Sequence, residues 1–133
     1  MLDDEYLDGK ICPYCREDTE YVDSKKVYGK SYGMIYLCKG CDAYVGVHDG
    51  TDVALGRLAD KELRFWKKEA HRYFDPLWKK KAEKGYSKNK ARRSGYMWLS
   101  KQLGIKPKRT HIGMMTVDEC KKIVELCKKY YIN

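Results

Sequence analysis

The sequence has no long apolar run, and nowhere does it approach the roughly 20 consecutive apolar residues that a membrane-spanning helix needs. Its first residues, Met1 to Glu5, are acidic where a secretory signal peptide is basic and then apolar. Internal repeats and low-complexity segments are also missing. We therefore expect a soluble globular protein of the reducing cytoplasm, where six cysteines would not form a disulfide framework.

The usual signatures of catalysis are absent as well. We find no nucleophile with a base at a recognisable spacing, no carboxylate cluster suited to a second metal and no Gly-rich phosphate loop. Gly29-Lys30-Ser31 has the last letters of a P-loop, but it lacks the earlier glycine and a strand follows it, so we interpret it as a turn. We do not expect an enzyme. A metal-dependent nuclease stays a minor alternative that would require an acidic cluster in the folded protein.

Four cysteines stand in two pairs, Cys12-Pro13-Tyr14-Cys15 and Cys38-Lys39-Gly40-Cys41. Two residues between paired thiolates allow a tight turn to direct both sulfurs at one metal ion, and two such turns complete a tetrahedral shell. A shell with no open position is typical of structural zinc. The prediction is a Zn²⁺ site whose ligands are Cys12, Cys15, Cys38 and Cys41.

Other roles for the cysteines stay open. An iron–sulfur cluster takes the same four ligands. A redox-active pair usually starts a helix after a strand, whereas strand-like sequence bounds each pair here. Cys120 and Cys127 are one heptad apart on a predicted helix, about 10 Å along its axis, which is too far for a disulfide between them. We expect both to be core thiols.

The segments around the cysteine pairs are typical of short strands. Glu20 to Asp23 and Val27-Tyr28 are read as strand material, and Ser31 to Leu37 leads directly into the second pair. From Ala43 to Val47 the sequence has the two-residue period of a half-buried strand. This order predicts a zinc ribbon with a small antiparallel sheet.

Helical periodicity begins at Asp60, a good N-cap. We predict a first helix that ends at Asp75-Pro76, because proline interrupts a helix, and a second short helix from Pro76 to about Glu83. A third helix is predicted from Ser87 or Asn89 to Leu103, closed by Gly104. The fourth is predicted from its capping box, formed by Thr116 and Glu119.

The net charge of +9 is unevenly distributed. Residues 1–20 hold seven acids against two basic residues, whereas residues 61–109 hold seventeen Lys and Arg against four acids. Aromatic residues interleave with these cations, which fits a surface that binds phosphates and stacks on unpaired bases. A solvated helical face with its aromatics in the core stays the alternative. The candidate contacts are Lys88, Lys90, Arg92, Arg93, Lys101, Lys108, Arg109 and His111.

The three histidines differ in their surroundings. His48 follows a predicted strand and His71 lies beside two lysines, so we expect both at the surface. His111 belongs to a donor-rich loop between two helices, where it would contact a ligand or else cap and pack the loop.

Several longer motifs accompany the cysteine pairs across nearly the whole chain. They are the first pair, residues 27–33, residues 37–48, Phe74-Asp75-Pro76-Leu77-Trp78, Trp98-Leu99 and His111-Ile112-Gly113-Met114. In this order they resemble the bacterial and phage zinc-finger-containing domain family of unknown function. The resemblance implies a zinc ribbon followed by helices, and it suggests a shared surface between Tyr44 or His48 and His111.

These observations together predict an α+β protein. Residues 1–56 form the four-cysteine zinc ribbon, which packs on a basic helical part of three to four helices at residues 57–133. The predicted function is nucleic-acid binding, to DNA or RNA, by a small non-enzymatic protein. The alternative is a protein-interaction module, such as a phage-encoded inhibitor or adaptor of a host protein.

Overall fold

The computed structural model describes residues 6–131, so the acidic N-terminal residues 3–5 lie outside the described range. The chain forms two compact units, Met1–Arg64 and Phe65–Asn133, called here the ribbon unit and the helical unit. That the ribbon packs on the helices stays a prediction.

The ribbon unit contains a three-stranded antiparallel sheet. Its strands are β1 (Glu20–Asp23), β2 (Met34–Cys38) and β3 (Ala43–Gly46), with β2 in the centre. In the register, Glu20 lies opposite Leu37, and Cys38 lies opposite Ala43. Ala43 and Val45 alternate inward along β3, as their spacing predicts. The predicted small antiparallel sheet is confirmed.

One predicted strand segment is wrong. Val27-Tyr28 belongs to a single helical turn, α1 (Lys25–Tyr28), that connects β1 to the loop before β2. The Asp23 carboxylate accepts a hydrogen bond from Lys25 N at 2.8 Å, and the buried Ser24 hydroxyl accepts one from Tyr32 N at 2.7 Å. These side chains satisfy backbone donors that a strand would have paired, so local hydrogen bonding prevails over β propensity.

A small core holds the ribbon unit together. The buried members of this cluster come from the first cysteine pair, strands β2 and β3, and the segment after them, namely Cys12, Tyr36, Cys38, Ala43, Val45, Ala54 and Leu58. The Tyr36 hydroxyl donates to the backbone oxygen of Asp52 at 2.6 Å, and the Thr19 hydroxyl donates to that of Gly9 at 2.6 Å. Both hydroxyls at the edge of this core therefore have partners.

The helical unit is built from long helices joined by short 3-10 turns. The helices are α2 (Lys61–Glu83), which begins within the ribbon unit, α3 (Lys88–Leu103) and α4 (Val117–Lys128). The 3-10 turns are Pro107–Arg109, Ile112–Met114 and Lys129–Tyr131. No helix among the described residues is long and apolar enough to cross a membrane.

The predicted helix ends are confirmed at four places. The Asp60 carboxylate accepts from Leu63 N at 2.9 Å, and the Ser87 hydroxyl accepts from Lys90 N at 3.2 Å. Gly104, at φ +68°, ends α3, and Thr116 with Glu119 forms the capping box of α4. Side chains that satisfy the first free N–H groups of a helix are recognisable from sequence because the interaction is local.

The predicted break at Asp75-Pro76 is wrong, since α2 continues through Pro76 to Glu83. Proline removes one helical hydrogen bond and costs about 3 kcal/mol in a helix interior. The Asp75 carboxylate accepts from Trp78 Nε1 at 3.1 Å and lies 3.0 Å from His71 Nδ1, so it links the turns on both sides of the proline. Burial of Phe74 gives a further reason for the helix to continue.

The core of the helical unit contains both remaining cysteines. Cys120 and Cys127 are fully buried on α4 together with Ile123 and Val124, which confirms that they are core thiols. Burial raises the pKa of the Cys127 thiol to about 11, so it is unreactive at neutral pH. Gly95 of α3 lies against Phe74, with only 3.0 Å between an added Cβ and the ring.

Gly9→Ala should destabilise the ribbon unit strongly. Gly9 has φ +77°, and an added Cβ would lie 2.8 Å from the Tyr36 ring. We expect a loss of about 2–4 kcal/mol in the free energy of unfolding, from overpacking and backbone strain together. Gly50→Ala is the matched control, because Gly50 has φ +73° and no atom lies near an added Cβ. Its loss of stability therefore measures the backbone strain alone. Equal losses of the two variants in urea denaturation would contradict the packing explanation.

Candidate metal centre and basic cleft

The first cysteine pair lies in a tight turn before β1. Cys12 N donates to the backbone oxygen of Glu17 at 2.9 Å, and Arg16 N donates to that of Cys12 at 2.8 Å. Arg16, which follows the second cysteine, has φ +65°. This left-handed residue reverses the chain so that Cys12 and Cys15 can direct their sulfurs to the same side.

The second pair repeats this arrangement at the hairpin between β2 and β3. Cys38 is the last residue of β2, and Asp42 N donates to the backbone oxygen of Lys39 at 3.2 Å. Asp42 again follows the second cysteine and has φ +51°. Two turns with a left-handed residue at the same position thus present the four thiols.

The four thiols converge on one point. The Sγ atoms of Cys12, Cys15, Cys38 and Cys41 all lie within 4.8 Å of one another, and those of Cys15 and Cys38 are 3.7 Å apart. Four sulfurs placed tetrahedrally about 2.3 Å from a metal ion would be about 3.8 Å from each other. The donor set and its spacing therefore fit a four-thiolate metal site.

The surroundings of the thiols differ within the cluster. Burial raises the pKa of Cys12, whereas a hydrogen bond from the backbone N–H of Glu17 lowers the pKa of Cys15. Cys12 is fully buried and Cys15 is exposed. A metal cation would favour the thiolate form of all four sulfurs and release their protons on binding.

Two residues that the sequence analysis did not single out support the cluster. The Tyr14 hydroxyl donates to the backbone oxygen of Leu58 at 3.1 Å and accepts from Asp60 N at 3.2 Å. Arg64 Nη1 donates to the backbone oxygens of Asp42 and Ala59, each at 2.7 Å. Tyr14 and Leu58 are 44 positions apart in the sequence, and Arg64 and Asp42 are 22 positions apart. Contacts at such separations leave no local pattern from which they could be predicted.

Arg64 also engages the second pair through its charge. Its Nη2 lies 3.1 Å from the Asp42 carboxylate, and its guanidinium lies 4.5 Å from the centre of the Tyr44 ring. The Arg64 side chain thereby fixes Asp42 in its left-handed conformation and covers the Tyr44 ring. Planar guanidinium groups are suited to such combined hydrogen bonding and stacking.

A second candidate site is a cleft of about 470 Å³ in the helical unit, called here the basic cleft. One wall is a face of α3, and the other comes from the chain between α3 and α4. The lining residues are Asn89, Arg92, Arg93, Tyr96, Met97, Pro107, Lys108 and His111. Those from α3 follow the three- and four-residue spacing that brings side chains to one face of a helix.

Four of the eight predicted nucleic-acid contacts line this cleft, namely Arg92, Arg93, Lys108 and His111. Lys88, Lys90 and Lys101 are exposed on α3 but are not among the lining residues. Arg109 has a largely buried side chain whose Nη1 donates to Glu119 at 3.2 Å, and Glu119 belongs to the capping box of α4. The role of all eight as nucleic-acid contacts stays a prediction.

Hydrogen bonds fix the loop that carries Pro107 and Lys108. The Ser100 hydroxyl donates to the backbone oxygen of Ile105 at 2.6 Å, and the buried Thr110 hydroxyl donates to that of Lys106 at 2.7 Å. Asn89, Met97, Pro107 and the hydroxyls behind the loop were missed in the sequence analysis. Their contribution depends on how the chain returns toward α3, for which the sequence carries no periodic signal.

The His111 ring packs against Tyr96 in the lining of the basic cleft. Its ring centroid is 5.1 Å from that of Tyr96, and the Arg92 guanidinium is 5.8 Å from the Tyr96 ring. Burial lowers the pKa of His111, and the positive charge of Arg92 lowers it further. At neutral pH the side chain is therefore a neutral aromatic ring with one donor and one acceptor.

We expect this pKa to be measurable and to affect stability. A His111 pKa below the ordinary 6.5 means that the unfolded chain binds the proton more readily. The free energy of unfolding should thus fall as the pH drops through about 6.5 toward the folded-state pKa. Proton NMR titration should place the pKa below 6.5, and Arg92→Gln should move it partway back. A titration midpoint above 6.5 in the unaltered protein would contradict this assignment.

Comparison with known proteins identifies the family to which the chain belongs. A model of the zinc-finger-containing domain matches residues 8–130, which include both cysteine pairs, the sheet and all of the helices. No curated protein and no solved structure gives a significant match. The match extends well beyond the metal cluster, over nearly all of the described residues, and the chain belongs to the zinc-finger-containing domain family.

Proposed function

We propose that this protein is a small, non-enzymatic zinc-ribbon protein that binds nucleic acid through the basic cleft. The observation that carries the proposal is the convergence of Arg92, Arg93 and Lys108 on one cleft beside Tyr96 and His111. Cations neutralise backbone phosphates, and this term supplies most of the affinity of sequence-independent binding. Among the described residues that line the cleft, none is acidic.

A cluster of cations is unfavourable by itself, because like charges at short distance repel one another. A solvated helical face can spread its charges in all directions, but these three side chains come from two separate segments and border one concavity. An anionic ligand would relieve their repulsion. The placement of these cations therefore favours ligand binding over a merely solvated face.

Zinc is the ion we propose for the four-cysteine cluster. Four thiolates without an open position are typical of structural zinc, which stabilises a small fold and supplies no reactive group. The ribbon unit has a small core, so a metal centre would contribute much of its folding free energy. Within residues 6–131 the cysteines are the one cluster of three or more potential metal-ligating side chains, which leaves a metal-dependent nuclease without support there.

Metal analysis tests this part of the proposal. We expect about one zinc ion per chain, lost in Cys38→Ser and retained in Cys120→Ala, which alters a cysteine far from the cluster in sequence. Removal of zinc should abolish the dispersed NMR signals of the ribbon unit, while the helical circular dichroism is largely kept. A visible absorption band together with bound iron would instead indicate an iron–sulfur cluster.

Nucleic-acid binding is tested by fluorescence polarisation at several salt concentrations. Binding should weaken linearly in a plot of log affinity against log salt concentration. Arg92→Gln combined with Lys108→Gln should weaken binding about tenfold or more and reduce the slope by about 2.

The matched control removes the same charge elsewhere on the helical unit. Lys80→Gln combined with Lys122→Gln alters two exposed lysines that do not line the cleft and are not among the predicted contacts. We expect this control to retain most of the affinity. Equal losses in the two double variants would show that general charge, and not the cleft, is responsible, and binding that does not depend on salt would sink the proposal.

A protein-interaction module is the second candidate. A groove of about 380 Å³, lined among others by Trp78, Trp98 and Tyr130, offers aromatic surface of the kind enriched at protein interfaces. A phage-encoded inhibitor or adaptor of a host protein would be one such module. Affinity purification separates the two candidates, according to whether nucleic acid or a host protein accompanies the chain.

We place the protein in a reducing compartment such as the cytoplasm, with a bacterial or phage origin. Support comes from the thiol chemistry, because a four-thiolate cluster and two further free cysteines are compatible with a reducing environment.

A further inference from the structure

The size and lining of the basic cleft indicate which form of nucleic acid it would take. This inference rests on the proposed function. At about 470 Å³ the cleft falls within the range of pockets that hold one small ligand, which runs from about 300 to 1,000 Å³. A single nucleotide fits such a space, whereas a duplex presents a broad convex surface that would contact only its rim.

The lining is only partly cationic. Met97 is 43% exposed, and Pro107 and the His111 ring lie in the same lining. The side chains of Met97 and Pro107 have no donor for a phosphate, and together with the His111 ring they offer apolar and aromatic surface to the face of a base. Tyr96 itself is only 7% exposed, so its role is to support the His111 ring from behind.

Asn89 adds a polar group at the helical edge of the cleft. Its amide can donate and accept at once, as the hydrogen-bonding edge of a base requires. In a duplex that edge is occupied by the paired base. A lining that combines cations, apolar surface and one amide thus corresponds to the parts of an unpaired nucleotide.

We propose that the basic cleft binds one unpaired nucleotide of a single strand. Its base lies against Met97, Pro107 and the ring of His111, and the adjoining phosphates are neutralised by Arg92, Arg93 and Lys108. The protein therefore prefers single-stranded DNA or RNA to duplex. Charge alone predicts the opposite order, because a duplex carries the higher phosphate density.

The experiment compares three probes at one salt concentration. They are a short single strand, the same sequence as a duplex, and the same strand with its bases removed at central abasic positions. We expect the intact strand to bind about tenfold more tightly than either of the others, since stacking of a base contributes about that much or more.

A substitution then assigns the preference to the cleft. Met97→Ser removes apolar contact without changing charge, and it should weaken single-strand binding about three- to tenfold while the salt slope stays the same. Val53→Ser is the control, because Val53 is an exposed apolar residue of the ribbon unit. Equal effects of the two substitutions would overturn the assignment.

The outcomes separate this inference from the proposal on which it rests. Salt-dependent binding with equal affinity for the duplex or for the abasic strand would leave nucleic-acid binding intact and refute the nucleotide pocket. Failure to bind any of the three probes at low salt would refute both.

Discussion

The convergence of four thiols on one point is the constraint on which the ribbon unit depends. Two of these thiols, those of Cys12 and Cys38, are also members of its small core, so the metal site and the core share the same residues. A metal ion that joins segments distant in sequence adds stability to such a unit. The order of the strands, the left-handed turns and the hydrogen bonds made by Arg64 all help to keep the sulfurs together.

The basic cleft depends on a different balance, between the repulsion of its cations and the rigidity of the walls that hold them. Ser100 and Thr110 fix the loop after α3 through hydrogen bonds to backbone oxygens. Arg109 adds an ion pair with Glu119, which ties the same loop to the start of α4. Because these polar groups are largely buried, their hydrogen bonds restrain the loop and hold Lys108 near α3.

Two differences between the expected and observed elements have a common cause. At Val27-Tyr28 the side chains of Asp23 and Ser24 capture backbone donors, and at Pro76 the Asp75 carboxylate links adjacent turns of α2. In both places side-chain hydrogen bonds oppose the intrinsic preference of the backbone, and at Pro76 the burial of Phe74 adds to them. Propensities describe a residue in isolation, and such hydrogen bonds depend on the geometry of a folded neighbourhood.

The sequence by itself determined the features that arise from short spacing. Paired cysteines, helix caps and the periods of strands and helices act over a few residues, so the metal ligands, the small sheet and the capping box of α4 were predictable. Tertiary structure decided which of the many cations share a cleft, because Arg92 and Lys108 lie 16 positions apart and meet only when the loop after α3 turns back. It likewise gave Arg109 a carboxylate partner and brought Arg64 to the second cysteine pair, since contacts of long sequence separation follow from packing and leave no local pattern.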